Sequence, residues 1–163
     1  DTRALVAFAA SMSTSSIQSI SIAGCPLGPM GLTTLAKFIS VIPAMTEIRL
    51  DGNPITGSRV ATSFDDYKSL FNEPQASRWS PKRWSHELDT SGLEAFAASM
   101  RTSSIQRISI AGCHLGPMGL TTLAKFISDI PALSEVNLET NPAITAAEIE
   151  DLQKSHPNIS FTT

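Results

Sequence analysis

The sequence has few of the residues from which catalytic and metal sites are built. Only three histidines and two cysteines occur in its 163 residues. His86, His114 and His156 share no metal-ligand spacing with one another or with the cysteines, so we expect no zinc site. The glycine-containing turns at Gly28–Gly31 and Gly116–Gly119 match neither the P-loop nor the dinucleotide-binding pattern. These absences predict a non-enzymatic protein that binds neither a metal nor a cofactor.

Long hydrophobic runs and a strong charge of one sign are also missing. No apolar stretch approaches the ~20 residues that a membrane-spanning helix needs, and the net charge is only −3 at pH 7. No block of like charges builds the field of a nucleic-acid binder. We therefore expect a protein partner, with no nucleic acid and no membrane insertion. The chain opens with neither a methionine nor a secretory signal, which leaves a processed chain, a designed chain or part of a longer one as interpretations.

Internal repetition is what the sequence has in abundance. Residues 5–54 recur at 93–142, at an offset of 88 positions from Ile17 to Ile105. About three quarters of the aligned letters are identical, which is the signature of a repeat architecture. The irregular stretch 72–88 and an inserted Ala143 favour natural duplication over design.

A shorter rhythm lies inside this duplication. Apolar residues follow the spacing L-x-x-L-x-L-x-x-(N/C)-x-L at 17–27, 45–55, 105–115 and 133–144. The alternation predicts a short strand in each segment. The ninth residue, asparagine or cysteine, is expected to turn inward and hydrogen-bond the backbone of adjacent turns.

Helical patterns alternate with these strands. Apolar residues at helical spacing form four stripes, namely Leu32, Leu35, Ala36 and Ile39; Leu93, Phe96, Ala97 and Met100; Leu5, Phe8, Ala9 and Met12; and Val60, Phe64, Tyr67 and Phe71. Thr90 or Asp89 is expected to cap the second of these helices. Thr145 and Glu148 predict a capping box that opens a further helix. Ile159 and Phe161 predict a last short strand.

The segment IQSISIAGCPLGPMGLTTLAKFI resembles the leucine-rich repeats of the ribonuclease-inhibitor type. The residues that match the second half of that repeat are Gly28, Gly31, Leu35, Ala36 and Ile39, and in the second copy Gly116, Gly119, Leu123, Ala124 and Ile127. The resemblance covers nearly all of the chain. It implies an α/β fold, a curved solenoid with parallel strands on the concave face and helices on the convex face, and it implies no catalytic residue. We interpret 1–163 as one domain: 1–57 as the first copy, 58–88 as a helix plus a degenerate repeat or connector, and 89–163 as the second copy with a C-terminal cap.

The connecting stretch 72–88 lacks clean apolar alternation. Because 88 is close to three times the repeat length, we predict three repeats per unit, the third one degenerate. Trp79 and Trp84 are expected to be partly buried in an irregular strand; the alternative is a surface loop.

The two cysteines occupy equivalent positions in the two copies. A disulfide requires Cα atoms within about 7 Å, whereas equivalent positions of a stacked repeat lie well apart when other repeats intervene. We therefore predict that Cys25 and Cys113 are free, buried thiols. Free thiols are typical of a reducing compartment, so we expect an intracellular, cytoplasmic protein.

Two surfaces are candidates for binding a partner. The first is the outward face of the strands, whose candidate residues are Glu47, Arg49, Asp51, Gln106, Arg107, Glu135, Asn137 and Glu139. The second is the stretch 79–84, where Trp79, Lys82, Arg83 and Trp84 could stack on a partner or make cation–π contacts. The alternatives are a merely solvated strand face and a tryptophan pair that fills the degenerate repeat.

Three functions remain open at this point. The leading hypothesis is a non-enzymatic scaffold that binds a protein partner through a concave surface. The second is a structural or adaptor subunit of a large assembly. The third is regulation of a small GTPase, which rests only on resemblance to Ran GTPase-activating proteins.

Overall fold

A computed structural model describes residues 16–39, 41–58 and 89–163 of the chain. Within these ranges the chain forms an α/β fold of five short strands and four helices. The strands are β1 (Ser19–Ser21), β2 (Glu47–Arg49), β3 (Arg107–Ser109), β4 (Glu135–Asn137) and β5 (Ser160–Thr162). The helices are α1 (Pro29–Ile39), α2 (Ser91–Met100), α3 (Pro117–Ile127) and α4 (Ala146–Ser155).

The strands form one parallel sheet in chain order, β1-β2-β3-β4-β5. The central apolar residues Ile20, Ile48, Ile108, Val136 and Phe161 are aligned across it. All four strands predicted from the 11-residue spacing belong to this sheet, and β2, β3 and β4 are its interior strands. The strand predicted at Ile159 and Phe161 is its last member. These strand predictions are confirmed.

The helices supply the other half of the core. In α1 and α2 every residue of the predicted stripes is buried: Leu32, Leu35, Ala36 and Ile39, and Leu93, Phe96, Ala97 and Met100. In α3, Leu123 and Ile127 are buried and Ala124 packs against the core as a partly buried residue. The apolar stripes of helices and strands merge into a single cluster, because each element hides its apolar side only against its neighbours.

Helix starts follow the expected capping chemistry in part. Thr145 and Glu148 form the predicted capping box at α4. Thr90 is the N-cap of α2, but its side chain makes no capping hydrogen bond. Instead Asp89 Oδ1 accepts a 2.8 Å bond from the N–H of Ser91. Hydrogen bonds from Ser91 hold the pKa of Asp89 below its usual value.

In three of the four repeats the ninth residue binds backbone as predicted. The amide of Asn53 donates to the carbonyls of Ile22 and Leu50, both at 2.7 Å, and its oxygen accepts from the N–H of Leu27 at 3.0 Å. Asn141 repeats this pattern one copy later. The thiol of Cys113 donates to the Leu50 carbonyl at 3.1 Å. These side chains tie each strand to the one before it.

Cys25 departs from the prediction of two buried thiols. Both cysteines are free, but Cys25 is exposed whereas Cys113 is buried. The reason is position in the sheet rather than sequence: Cys113 lies against Leu50 of the preceding strand, whereas β1 is the first strand of the sheet. The prediction of burial is wrong for Cys25.

β2 and β3 are adjacent although 60 residues separate Glu47 from its partner Arg107. This direct pairing leaves no position for another strand between them, and the degenerate repeat predicted within 58–88 falls outside the described residues. The chain on either side of 59–88 is also held together, since the N–H of Asp89 donates to the carbonyl of Thr56 at 3.1 Å. The described residues on the two sides of 59–88 therefore lie close together.

Deleting 59–88 and joining Ser58 to Asp89 through a short glycine linker should leave the fold intact. The Thr56–Asp89 bond and the β2–β3 pairing are both formed outside the deleted segment, and a shorter loop costs less closure entropy. We expect the deletion variant to keep the far-ultraviolet circular dichroism spectrum of a folded α/β protein. It should also unfold in a single transition. The matched control replaces 59–88 with a glycine–serine linker of equal length. An unfolded deletion variant beside a folded control would contradict the inference that the segment's ends lie together.

Gly92 lies where the backbones of α1 and α2 approach each other closely. A Cβ atom there would collide with the carbonyl oxygen of Pro29 and lie 2.7 Å from its Cα. Backbone atoms cannot move aside as a flexible side chain could, so Gly92→Ala should lower the free energy of unfolding by about 2 kcal/mol. The steric cost exceeds the ~1 kcal/mol by which alanine favours a helix over glycine, so the substitution is destabilising on balance.

Urea unfolding measures this loss, and Gly28→Ala is the control because no atom lies within 4 Å of its added Cβ. Equal stabilities of the two variants would show that α2 does not pack as described.

Several sequence predictions lie outside the described residues. These are the helices predicted around Leu5 and Val60 and the four residues Trp79, Lys82, Arg83 and Trp84. Among the helices that the structure does describe, none has the length and apolar character needed to cross a membrane.

Candidate functional site

The outward side chains of the sheet form what we call the polar sheet face. The parallel register places them in two rows across the five strands. The first row is Ser19, Glu47, Arg107, Glu135 and Ser160, and the second row is Ser21, Arg49, Ser109, Asn137 and Thr162. This arrangement follows from strand geometry, because successive side chains of a strand point to opposite faces of the sheet. The central residue of each strand faces the core, so the residues before and after it face outward.

Arg107 is the centre of the first row. Its guanidinium bonds to the carboxylate of Glu47 on the neighbouring strand at 3.0 Å. Glu135 lies on the other side of Arg107 in the row, and no ion pair to Glu135 is formed within the described ranges. The Arg107–Glu47 pair is half-exposed, so it contributes at most about 1 kcal/mol to stability. Its stronger effect is to fix where the positive charge sits.

Asp51 has a structural role that the sequence did not reveal. One of its oxygens accepts hydrogen bonds from the hydroxyl of Ser109 and, at 3.0 Å, from the N–H of Ala111. Its other oxygen lies 3.4 Å from Nε of Arg49. Asp51 thus joins β2 to β3 and holds Arg49 at the same time. The carboxylate is only partly available to a partner, whereas half of the Arg49 side chain is exposed.

Asn137 and Glu139 form a similar local arrangement at the end of β4. The N–H of Glu139 donates to the Asn137 side-chain oxygen at 2.9 Å. The Asn137 amide in turn approaches a Glu139 carboxylate oxygen at 3.5 Å. Glu135 on β4 and Glu139, two residues after the strand ends, are both exposed.

A shallow depression of about 210 Å³ brings these groups together. Its polar lining is Glu47, Arg49, Arg107, Ser109, Glu135 and Asn137. Five of these six are residues that the sequence selected as candidates for partner binding. Gln106 is exposed and precedes Arg107 at the edge of this region. The site offers charged and amide groups that are held by their neighbours, which suits recognition of polar side chains on another molecule.

One serine–histidine contact escaped the sequence analysis. His156 Nε2 lies 2.9 Å from Ser128 Oγ, and His156 Nδ1 lies 3.1 Å from the carbonyl oxygen of Leu152. Ser128 is the C-cap of α3 and His156 the C-cap of α4. A helix C-terminus presents carbonyl oxygens, which would repel rather than stabilise a developing oxyanion. The contact therefore serves to join the ends of two helices.

The buried thiol of Cys113 is also unsuited to nucleophilic catalysis. Burial raises the pKa of the Cys113 thiol to about 11, so it is protonated at neutral pH and a poor nucleophile. Within the described residues, no three His, Cys, Asp or Glu side chains are grouped to hold a metal ion.

The sequence has no match among protein-family models or among curated proteins. Function must therefore be argued from the residues of the site.

Proposed function

We propose that the chain is a non-enzymatic protein-interaction scaffold of the leucine-rich-repeat type, whose polar sheet face binds a protein partner. The observation that carries the proposal is the depression around Arg107, where charged side chains are exposed yet held in place by hydrogen bonds. Groups that are already ordered lose little conformational entropy when a partner binds.

The proposal extends to the shape of the molecule. A parallel sheet with strands in chain order and, among the described residues, a helix between successive strands is consistent with a curved repeat solenoid. In such a solenoid the polar sheet face would be the concave surface. Small-angle X-ray scattering tests this element of the proposal, because a curved array and a flat one give different distance distributions.

The charge of the face indicates the kind of partner. Four carboxylates, those of Glu47, Asp51, Glu135 and Glu139, accompany only two guanidiniums, those of Arg49 and Arg107. Since Arg107 and Arg49 each contact a carboxylate of the face, the groups left over are acidic. A basic surface on the partner would complement them.

Affinity capture from the native source, followed by crosslinking and mass spectrometry, tests the proposal. A specific partner should crosslink to residues of the polar sheet face and be lost in a Glu135→Gln/Glu139→Gln variant, because these are the carboxylates left over once the two arginines are paired. Glu150→Gln/Asp151→Asn is the matched control, because it removes two exposed negative charges from α4 and should leave capture unchanged. Crosslinks confined to the helices, or turnover of a substrate by the purified chain, would contradict the proposal.

A structural subunit of a large assembly is the second candidate. It is favoured by the incomplete burial of apolar residues along β1, where Ile17, Ile20 and Ile22 are only partly buried. An obligate subunit should aggregate when purified alone, whereas an independent scaffold should be a stable monomer. Light scattering of the purified chain separates the two.

A further inference from the structure

The two copies of one sequence differ in burial at β1 and β3. The letters IQ-x-ISIAGC-x-L are the same at 17–27 and 105–115. In the second copy Ile105, Ile108, Ile110, Cys113 and Leu115 are at most 2% exposed. In the first copy Ile17, Ile20, Ile22 and Leu27 are only partly buried and Cys25 is exposed. Because the residues are the same, the difference arises from what lies against them.

The group that covers the second copy is the backbone of 46–52. The N–H of Arg107 donates to the carbonyl of Thr46 at 3.0 Å, and the carbonyl of Ser109 accepts from the N–H of Leu50 at 2.8 Å. One step further, the carbonyl of Ala111 accepts from the N–H of Gly52 at 2.8 Å. An extended segment thus adds to the edge of β3 through a ladder of parallel bonds.

Side-chain contacts make this addition specific. The carboxylate of Asp51 accepts from the hydroxyl of Ser109 and the N–H of Ala111. The carbonyl of Leu50 accepts from the thiol of Cys113. The added segment also places Ile48 and Leu50 in the core, where both are at most 1% exposed. The edge of β3 therefore selects two apolar residues separated by one residue and followed directly by an acid.

β1 presents the same groups on its outer edge. Ser21, Ala23 and Cys25 are the equivalents of Ser109, Ala111 and Cys113. The inner side of β1 is bound to β2, since Ile22 and Gly24 donate to the carbonyls of Arg49 and Asp51. Within the described ranges β1 pairs with β2 alone, so its outer edge is unpaired there.

The first 15 residues do not contain a counterpart of the segment that pairs with β3. Residues 1–15 correspond in sequence to 89–103, the segment that precedes β3, and not to 44–55, the segment that pairs with it. A second copy of the chain offers the free edge of β5, but the register aligns Thr163 with Leu138, Ile110 and Leu50. A polar threonine would then occupy the place of a fully buried leucine.

We propose that the outer edge of β1 is a second interaction surface, which binds an extended segment of another protein with the pattern apolar-x-apolar-Asp as an added parallel strand. The two apolar side chains cover Ile20, Ile22 and Cys25. The carboxylate accepts from the hydroxyl of Ser21 and the N–H of Ala23. Strand addition of this kind draws its affinity from the backbone and its specificity from alternate side chains.

Thiol reactivity tests the proposal directly, because Cys25 lies at the edge and Cys113 is a buried internal reference. The probe is a peptide with the sequence of residues 44–55, AMTEIRLDGNPI, fused to the amino terminus of the chain through a flexible glycine–serine linker. Tethering raises the effective concentration to the millimolar range. We expect the fusion to slow alkylation of Cys25 by iodoacetamide at least tenfold, with Cys113 unreactive in every variant as a check of folding.

Two matched controls establish the recognition pattern. Asp51→Ala in the fused copy removes the carboxylate, and Ser21→Ala in the chain removes one of its donors; each should restore most of the Cys25 reactivity. Equal reactivity with and without the fused peptide would overturn the proposal. So would protection of Cys25 in the unfused chain that grows with protein concentration, since a second copy would then occupy the edge.

Discussion

Ile110→Asp is expected to abolish the folded state, whereas the same substitution at the equivalent residue of the first copy, Ile22→Asp, should leave the chain folded. Ile110 is 1% exposed and belongs to the core, while Ile22 is only partly buried. Loss of a buried isoleucine costs about 2–5 kcal/mol, and an unpaired buried carboxylate adds several more. Their sum is comparable to the ~5–15 kcal/mol that stabilises an ordinary domain.

At Ile22 the carboxylate keeps part of its hydration, so we expect a loss within the ~0.5–3 kcal/mol of an ordinary substitution. Denaturant unfolding followed by circular dichroism measures both variants. Two equal losses would mean that the edge of β1 is as well covered as that of β3. A folded Ile110→Asp variant would show that Ile110 is not a core residue.

The repeat pattern predicts local structure well because its causes are local. Strand alternation, helical stripes and the capping box at Thr145 each involve residues close in sequence, and the structure contains all three. The role of the ninth residue was predictable for the same reason, since an inward polar side chain such as Asn53 must find a partner wherever the turn places it.

Properties that depend on neighbours from elsewhere in the chain were not predictable. Cys25 and Cys113 share their local sequence yet differ in exposure, because in the part of the chain that the structure describes only Cys113 has a strand on its outer side. The adjacency of β2 and β3 could not be read from their 60-residue separation. Repeat spacing fixes what each unit looks like, but the order of stacking is a property of the whole sheet.

At the candidate site, too, local features could be predicted and contacts between strands could not. The sequence identified which residues of β2, β3 and β4 point outward, because that follows from strand periodicity. It did not show that Arg107 pairs with Glu47, nor that Asp51 is bound by Ser109 and Ala111. These contacts decide which charges remain free for a partner, and they arise only when the strands are placed in register.

Removing the Asn53 amide and the Cys113 thiol together should destabilise the chain by more than the sum of the two single losses. Both groups donate to one acceptor, the carbonyl of Leu50, at 2.7 Å and 3.1 Å. Leu50 itself is fully buried. After either single substitution the carbonyl keeps one donor, but in Asn53→Ala/Cys113→Ala neither of these two remains. An unsatisfied buried carbonyl costs about 1–3 kcal/mol.

The two single substitutions should lower the free energy of unfolding by different amounts. Asn53→Ala also deprives the Ile22 carbonyl of a donor and the Leu27 N–H of an acceptor, so we expect a loss of about 3 kcal/mol. Cys113→Ala removes a weak donor and a small apolar group, with an expected loss of about 1 kcal/mol. A double-mutant cycle from urea unfolding should then give a coupling of about 1 kcal/mol.

Asn141 supplies the control that assigns this coupling to the shared carbonyl. Its amide makes the same three bonds as Asn53, but its acceptors are Ile110 and Leu138 and do not include Leu50. The Asn141→Ala/Cys113→Ala pair should therefore be close to additive. If both cycles give the same coupling, the effect comes from general loosening of the turns. If only the Asn53 cycle is coupled, the carbonyl of Leu50 links the two copies. The alternation of asparagine and cysteine at the ninth position then has a physical reason. Neighbouring turns share a backbone acceptor, so the weaker thiol donor suffices where an asparagine amide already donates to the same carbonyl.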